Sequence, residues 1–160
     1  FPFLIEYPHA ISKGKRYDAL VAPIDLMPTL LSLSGLECPD VDGKDLSGVF
    51  IREESDQQDA VLIMKLLHGG KPYKMNAVTP WRGVRTKRYT YTTLMDHGPW
   101  LLYDNQEDPY QLNNLINKPE QAELQANLET RMRELMVEAG DPGDTDEIMA
   151  YRTSRKPGDS

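Results

Sequence analysis

The sequence has little of several features that define common protein classes. It holds one cysteine in 160 residues, so Cys38 can form no disulfide within the chain and cannot supply the cysteine pairs of a zinc site. Lysine and arginine number 18 against 25 aspartate and glutamate residues, which gives a net charge of −7. This acidic balance argues against general nucleic-acid binding, because phosphate contacts need a basic face.

Long apolar runs are also missing. No stretch approaches the roughly 20 apolar residues that a helix needs to cross a bilayer, so the sequence predicts no membrane span. The composition is that of a folded domain, with 39% hydrophobic and 27% charged residues, and the length is sufficient for one core. The single cysteine leaves the redox compartment undecided.

The chain opens on an apolar, aromatic stretch, Phe-Pro-Phe-Leu-Ile-Glu-Tyr-Pro at residues 1–8. Such a stretch is typical of a buried strand. A buried strand at residue 1 would need neighbours that this sequence does not contain. We therefore expect a fragment of a larger protein; the alternative is a trimmed form of a self-sufficient domain.

A helix is predicted after Asp25, because apolar residues recur with helical spacing up to Gly35. Asp25 suits the first turn, where unpaired backbone N–H groups favour an anion. Gly35 suits the position after the last turn, which often has positive φ. Pro28 requires the helix proper to start near it, after a looser turn. Residues 36–58 are rich in turn formers and charges and are predicted to be a loop.

A strand is predicted at residues 60–67. A meander of three antiparallel strands is predicted after it, at residues 81–86, 89–94 and 100–104, because these β-rich runs are separated by tight turns.

A long helix is expected next, at residues 119–139, where apolar residues form one stripe. Asn117 and Glu120 are predicted to form a capping box, and Gly140 to end the helix. The fold class is therefore α+β, an antiparallel β-meander packed by a long C-terminal helix. The last residues, 141–160, are predicted to be a tail.

Several segments carry distinctive sequence motifs, and these motifs follow one another in a fixed order. Residues 21–36 read V-A-P-I-D-L-M-P-T-L-L-S-L-S-G-L, residues 81–89 read W-R-G-V-R-T-K-R-Y, and residues 108–115 read D-P-Y-Q-L-N-N-L. They resemble V-S-H-I-D-L-x-P-T-L-L-x-L-A-G, R-x-V-R-T-x-R-Y-K-Y and D-P-x-E-x-x-N-L of the sulfatases of the alkaline-phosphatase superfamily. Residues 1–8 and 42–46 resemble two further sulfatase segments, V-P-F/L-I-I-R-W/Y-P and D-G-x-S-L.

The resemblance has departures. Ala22 and Pro23 stand where the family usually has Ser-His, and Gln111 stands where it usually has Glu. Ala22 removes a capping hydroxyl, whereas Pro23 keeps the turn. If that histidine reaches the active site in relatives, this protein lacks it.

The resemblance implies that the chain is the C-terminal portion of a sulfatase, an arylsulfatase-like sulfuric ester hydrolase. Residues 1–58 would then be the strand, helix and loop that end the larger α/β catalytic domain. Residues 59–140 would form a C-terminal subdomain of antiparallel sheet and helix, and residues 141–160 its tail.

Sulfatases use a formylglycine made from a C/S-x-P-x-R motif, together with a calcium ion held by Asp and Asn oxygens. This sequence has no such motif, since Cys38 is followed by Pro-Asp-Val. We therefore expect the nucleophile and the calcium ligands in a missing N-terminal catalytic segment, which would be the partner of this chain. The chain itself is expected to have no catalytic residue, no metal site and no activity.

His68, Trp81 and Arg82 are the candidates for binding the substrate. His68 precedes two glycines at a strand end, and Trp81 and Arg82 open the next strand. Arg82 and Arg85 lie on opposite faces of that strand, so one is expected to form a structural ion pair and the other could clamp an anionic group. Structural roles are the alternative for each arginine, and an exposed loop position is the alternative for His68.

Two side-chain groups have a functional and a structural interpretation. Asp104, Asp108, Asn113 and Asn114 superficially resemble a calcium cluster, but their spacing does not fit an EF-hand, and caps of a structural corner are favoured. The aromatic residues of the meander could form a carbohydrate platform, but at strand spacing they more often pack across strands. These residues are Tyr89, Tyr91, Trp100 and Tyr103.

The resemblance implies a sulfated small molecule or sulfated carbohydrate as substrate, and a periplasmic or secreted location. Two other functions remain open at this point. One is a phosphonate or phosphate monoesterase of the same superfamily, and the other is a non-catalytic binding module.

Overall fold

The structure, a computed structural model, describes residues 3–55, 58–65, 80–94, 97–141 and 143. The chain divides into two compact units, Phe1–Val61 and Leu62–Ser160. Within the described ranges, no helix is long and apolar enough to cross a membrane. The domain boundaries expected from the sequence stay a prediction.

The first unit is built around two short helices. A single 3-10 turn at Pro23–Asp25 leads into α1, Leu26–Leu33, and α2 follows at Ser47–Arg52. Their inner faces bury a small apolar core, against which residues of the first loop also pack. The buried members of this core are Ile11, Leu33, Leu46 and Phe50.

The predicted helix after Asp25 is confirmed together with its ends. The 3-10 turn places Pro28 in the first turn of α1, where a missing backbone N–H costs nothing. Gly35 has φ +68°, as a residue that closes a helix in the left-handed conformation should.

Two expectations for this unit are wrong. Residues 3–7 form no strand, because a strand needs a neighbouring backbone for hydrogen bonding and no described segment pairs with them. Ile5 and Tyr7 instead pack partly buried against the small core. Residues 36–58 are not all loop, since they contain α2.

The helix α2 is one and a half turns long, and its start is fixed locally. The Asp45 carboxylate accepts a hydrogen bond from the backbone N–H of Ser47 at 2.8 Å. Leu46 and Phe50, four residues apart and on one face, are both buried. A pattern this short, interrupted by Gly48, is too weak to indicate a helix in a sequence.

The predicted antiparallel meander is confirmed. A strand β1, Ala60–Lys65, comes first, and the meander follows as β2, Trp81–Thr86, β3, Tyr89–Leu94, and β4, Gly98–Asp104. They lie in the sheet in the order in which they occur in the chain. The pairs β2–β3 and β3–β4 are antiparallel, and β4 begins two residues before its predicted start.

One row of side chains across the sheet forms the centre of the core. Val84 pairs with Tyr91, which pairs with Leu102, and all three are 0% exposed. The helix α3, Ala122–Glu138, packs against β2 and β3. It contributes Leu128, Met132 and Leu135 to the buried layer, so the predicted sheet-and-helix packing is confirmed.

The start of α3 differs from its prediction. A 3-10 turn at Pro119–Gln121 precedes the helix, and no capping bond joins Asn117 to Glu120. The Asn117 backbone N–H instead donates to Oε1 of Gln125 at 3.0 Å. Asn117 has φ +57°, and the side chain of Gln125, the fourth residue of α3, reaches back to its backbone.

Candidate functional site

The arginine at the start of β2 is committed to a buried ion pair. Arg82 is 3% exposed, and its Nη2 donates to Oδ1 of Asp141 at 3.1 Å, while Nε donates to Oδ2. The guanidinium hydrogen bonds lower the pKa of the Asp141 carboxyl from its ordinary value. Such a bidentate pair joins β2 to Asp141, which lies three residues beyond the end of α3.

The three predicted substrate-binding residues are not brought together in one place. His68 lies outside the described residues. Trp81 and Arg82 are consecutive on β2, so their side chains point to opposite faces of the sheet. Their proposed contact with a substrate stays a prediction.

The second arginine of β2 has different surroundings. Arg85 donates through Nη1 to the hydroxyl of Thr90, and no described carboxylate pairs with it. Burial lowers the pKa of the Arg85 guanidinium from its ordinary value. The structural ion pair expected of one arginine is thus formed by Arg82. Arg85 has no acidic partner among the described residues, and a contact of Arg85 with an anionic group stays a prediction.

Two amide side chains extend the polar group around Thr90. Asn105 lies beside the hydroxyl, with Oδ1 at 3.2 Å and Nδ2 at 3.1 Å. Gln111 donates through Nε2 to Asn105 Oδ1 at 2.7 Å and to the Thr90 hydroxyl at 3.3 Å. We call Arg85, Thr90, Asn105 and Gln111 the arginine–amide cluster.

This cluster was not predicted from the sequence. Its members come from two strands and from the corner after β4. Contacts between residues so far apart in the chain leave no periodic pattern in the sequence. The one available indication was Gln111, which departs from the family's usual Glu. Its backbone also has φ +56°, which is uncommon for a residue other than glycine.

The acidic and amide residues after β4 act as caps. Asp108 Oδ2 accepts the backbone N–H of Asn113 at 2.7 Å. Asn114 Oδ1 accepts the N–H of Leu102 at 3.0 Å, and its Nδ2 donates to the carbonyl of Trp100 at 3.0 Å. These bonds confirm the structural corner.

Asp104 is likewise paired, in this case with a cation. Its carboxylate accepts hydrogen bonds from Arg88, with Nη2 at 2.7 Å from Oδ2. The Arg88 hydrogen bonds lower the pKa of the Asp104 carboxyl.

The most central aromatic residue of the meander is core and not a binding platform. Tyr91 is 0% exposed, and its hydroxyl donates to Oε2 of Glu129 on α3 at 2.7 Å. Burial and the Glu129 carboxylate raise the pKa of the Tyr91 phenol. The bond joins sheet and helix. The pairing of Tyr91 with Val84 and Leu102 is the cross-strand packing favoured from the sequence.

In the first unit, Asp25 forms a buried connection that sequence analysis missed. The side chain is 1% exposed and accepts the backbone N–H groups of Ala22 at 2.8 Å and of Lys44 at 2.9 Å. It also accepts Nε2 of Gln58 at 3.1 Å. The carboxylate thus turns back toward Ala22 and inward to join three segments, whereas the sequence predicted that it would bond to free N–H groups in the first turn of the helix that follows.

Gly43, which lies near the Asp25 carboxylate, explains why the D-G-x-S-L motif has a glycine. A Cβ at Gly43 would collide with the backbone carbonyl of Ile24. Glycine therefore lets the loop before α2 approach the 3-10 turn closely enough for Lys44 to reach Asp25.

The described residues do not fit the calcium ion and formylglycine that sulfatases use. No three His, Cys, Asp or Glu side chains among them come close enough to hold a metal ion. Cys38 is exposed and lacks the following x-P-x-R of the formylglycine motif. No step of catalysis is therefore assigned to this part of the protein.

Residues 1–138 match the family described as N-sulphoglucosamine sulphohydrolase, C-terminal. Similar proteins include the ulvan-active sulfatase of Formosa agariphila, 38% identical over 88% of this chain and 27% of its own length. Another is the endo-4-O-sulfatase of Bacteroides thetaiotaomicron, 33% identical over 94% of this chain and 32% of its own length. The chain thus spans about a third or less of these relatives.

Solved structures share the fold. A structure described as a complex with its substrate D-glucosamine-2-N,6-O-disulfate superposes with a TM-score of 0.74 at 28% identity. The superposition covers 85% of this chain and 28% of that one. The four-stranded antiparallel sheet and the helix α3 are therefore similar to the C-terminal domains of sulfatases.

Proposed function

Because the chain belongs to the family of C-terminal portions of N-sulphoglucosamine sulphohydrolases, we propose that the protein containing it hydrolyses sulfate esters. The family match over residues 1–138 carries this proposal. The α+β architecture agrees with it, and sulfatase relatives cover nearly the whole chain.

We further propose that the catalytic machinery lies outside this chain. The chain corresponds to between a quarter and a third of its relatives, and it contains no C/S-x-P-x-R motif. The nucleophile and calcium ion would then be held by a catalytic segment that joins this chain in the intact enzyme. The chain alone would hydrolyse no sulfate ester.

A sulfated carbohydrate is the proposed substrate class. The support comes from relatives whose names specify ulvan activity and 4-O-sulfate, and from a similar structure that holds a disulfated glucosamine. The export of the protein to the periplasm or outside the cell is part of the same proposal, because a polysaccharide too large to enter the cytoplasm would meet the enzyme there.

His68, Trp81 and Arg82 are proposed to set substrate preference. Interactions with the part of a substrate that does not react mainly determine binding and orientation. His68 and Trp81 would contact the sugar and leave the sulfate to the catalytic segment, whereas Arg82, which is buried against Asp141, would act by holding β2 in position.

The reaction is tested by sulfate release from a small aryl sulfate and from sulfated oligosaccharides, using the full-length protein and the isolated 160-residue chain. We expect turnover by the full-length protein alone. Turnover of a phosphonate monoester with no turnover of any sulfate ester would replace the proposal with the monoesterase alternative.

The role of the predicted residues is tested by kcat/KM on both substrate types in His68→Ala and Arg82→Ala. A contact with the sugar changes the ratio between the two substrates. Asp141→Ala is the matched control, because it breaks the same buried ion pair without removing the guanidinium. If Arg82→Ala and Asp141→Ala change the ratio equally, Arg82 acts through the fold and not on the substrate.

A further inference from the structure

The two arginines of β2 differ in what balances their charge. Arg82 is neutralised by the buried carboxylate of Asp141, and Arg88, in the following turn, by Asp104. Arg85 is half-buried, and among the described residues its guanidinium donates a hydrogen bond only to the hydroxyl of Thr90. A partly desolvated cation without an anion is costly, so this position favours an anionic partner that comes from elsewhere.

The neighbours of Arg85 supply hydrogen bonds but no negative charge. Thr90 accepts from the guanidinium, and the amides of Asn105 and Gln111 bond to the same hydroxyl and to one another. A guanidinium has five N–H donors, and within the described ranges Arg85 uses one of them, at Nη1. The remaining donors match the paired oxygens of a carboxylate or sulfate.

Gln111 is the residue that keeps this cluster positive. Glutamine and glutamate have the same length, and the related sulfatase pattern has Glu at this position. A carboxylate there would place a negative charge beside the Thr90 hydroxyl that Arg85 binds, and could balance Arg85. The amide of Gln111 instead donates to Asn105 and Thr90 and carries no charge.

We propose that the arginine–amide cluster binds an anionic group of the sugar ligand, a carboxylate or a second sulfate, in addition to the sulfate that is hydrolysed. This inference rests on the proposed function for the identity of the ligand, and it makes the substrate a polyanionic glycan. Arg85 forms the charged contact, and Gln111 leaves the guanidinium open to the ligand.

The test measures dissociation constants of the full-length protein for three oligosaccharide probes of similar length. Oligogalacturonate carries carboxylates only, a sulfated galactan carries sulfates only, and a neutral galactan carries neither. The variants are Arg85→Gln, Arg85→Lys and Gln111→Glu. Lys87→Gln is the control, because it removes one positive charge from the exposed turn two residues away.

We expect at least one anionic probe to bind the natural protein more tightly than the neutral galactan. Arg85→Gln and Gln111→Glu should each weaken that binding about tenfold or more, the scale of one charged hydrogen bond. Arg85→Lys should fall between, because an ammonium keeps the charge but not the fork geometry. Lys87→Gln should change it less than about twofold, as an exposed charge does.

The inference is overturned if neither anionic probe binds more tightly than the neutral one, or if Gln111→Glu binds as the natural protein does. It is also overturned if Lys87→Gln weakens binding as much as Arg85→Gln, because the effect would then be general attraction. Thermal unfolding separates a fold defect from lost binding. If Arg85→Gln unfolds, Gln111→Glu decides, since the exposed glutamine side chain tolerates a change of charge.

Failure of this inference and failure of the proposed function are distinguishable. Turnover of a small aryl sulfate by the natural protein reports on the sulfatase reaction and does not involve the probes. Polyanion binding reports on the arginine–amide cluster whether or not any ester is hydrolysed.

Discussion

The packing of α3 on the sheet gives a quantitative prediction at Leu128. This residue is 6% exposed, lies on the buried stripe with Met132 and Leu135, and belongs to the helix that contacts β2 and β3. Leu128→Ala removes side-chain carbon that has left water on folding. The loss of about 0.8 kcal/mol per buried methylene gives roughly 2 to 2.5 kcal/mol before any cavity is counted.

The cavity raises this figure. The two strands that α3 contacts, β2 and β3, carry Val84 and Tyr91, both 0% exposed, so this part of the sheet cannot move far to fill the space. Buried Leu→Ala changes cost about 2–5 kcal/mol when the surroundings relax only partly. We expect Leu128→Ala to lie in the upper half of that range.

The assay is urea unfolding of the purified chain followed by far-UV circular dichroism, with a matched variant on the exposed side of the same helix. Val137 is 79% exposed, so Val137→Ala should change the free energy of unfolding by less than about 0.5 kcal/mol. If Leu128→Ala also changes it by less than about 0.5 kcal/mol, α3 does not pack on the sheet as described.

Three further changes test other parts of the structure. Asp141→Asn should lower the free energy of unfolding by about 3–5 kcal/mol at neutral pH, because it leaves the buried Arg82 without a negative partner. The pKa of Asp141 is lowered in the folded protein. The difference in stability between the variant and the natural protein should therefore be complete above about pH 4, the ordinary pKa, and should disappear as the pH falls through the lowered value. Gly83→Ala should cost about 1–3 kcal/mol in chemical unfolding, because its Cβ would lie 2.5 Å from the carbonyl oxygen of Tyr91. Asp25→Asn should cost about 1–3 kcal/mol in thermal unfolding, because an amide N–H would face backbone donors; an unchanged midpoint would contradict the three-segment connection.

The sheet and the long helix could be predicted because their signals are local and periodic. Residues 81–104 combine β-forming side chains with tight turns, and α3 has an apolar stripe and the closing Gly140. Each of these patterns needs only neighbours within about four residues. The same reasoning placed Arg82 and Arg85 on opposite faces of β2.

The remaining features depend on contacts that no local pattern contains. The first residues have a strand's composition but no described strand partner, and α2 is too short to be periodic. The cap of Asn117 comes from Gln125, eight residues ahead. Which arginine is paired depends on Asp141, which lies 59 residues from Arg82.

The sheet order has a consequence for how quickly this unit assembles. The strands β2, β3 and β4 lie side by side in the order in which they occur in the chain, so the β2–β3 and β3–β4 pairings close short loops at a small entropic cost. The bond between Arg82 and Asp141 joins residues 59 apart, and we expect it to form after these pairings, once α3 has docked. A contact made after the rate-limiting step leaves the folding rate nearly unchanged and slows unfolding. We therefore expect loss of this ion pair to speed unfolding more than it slows folding.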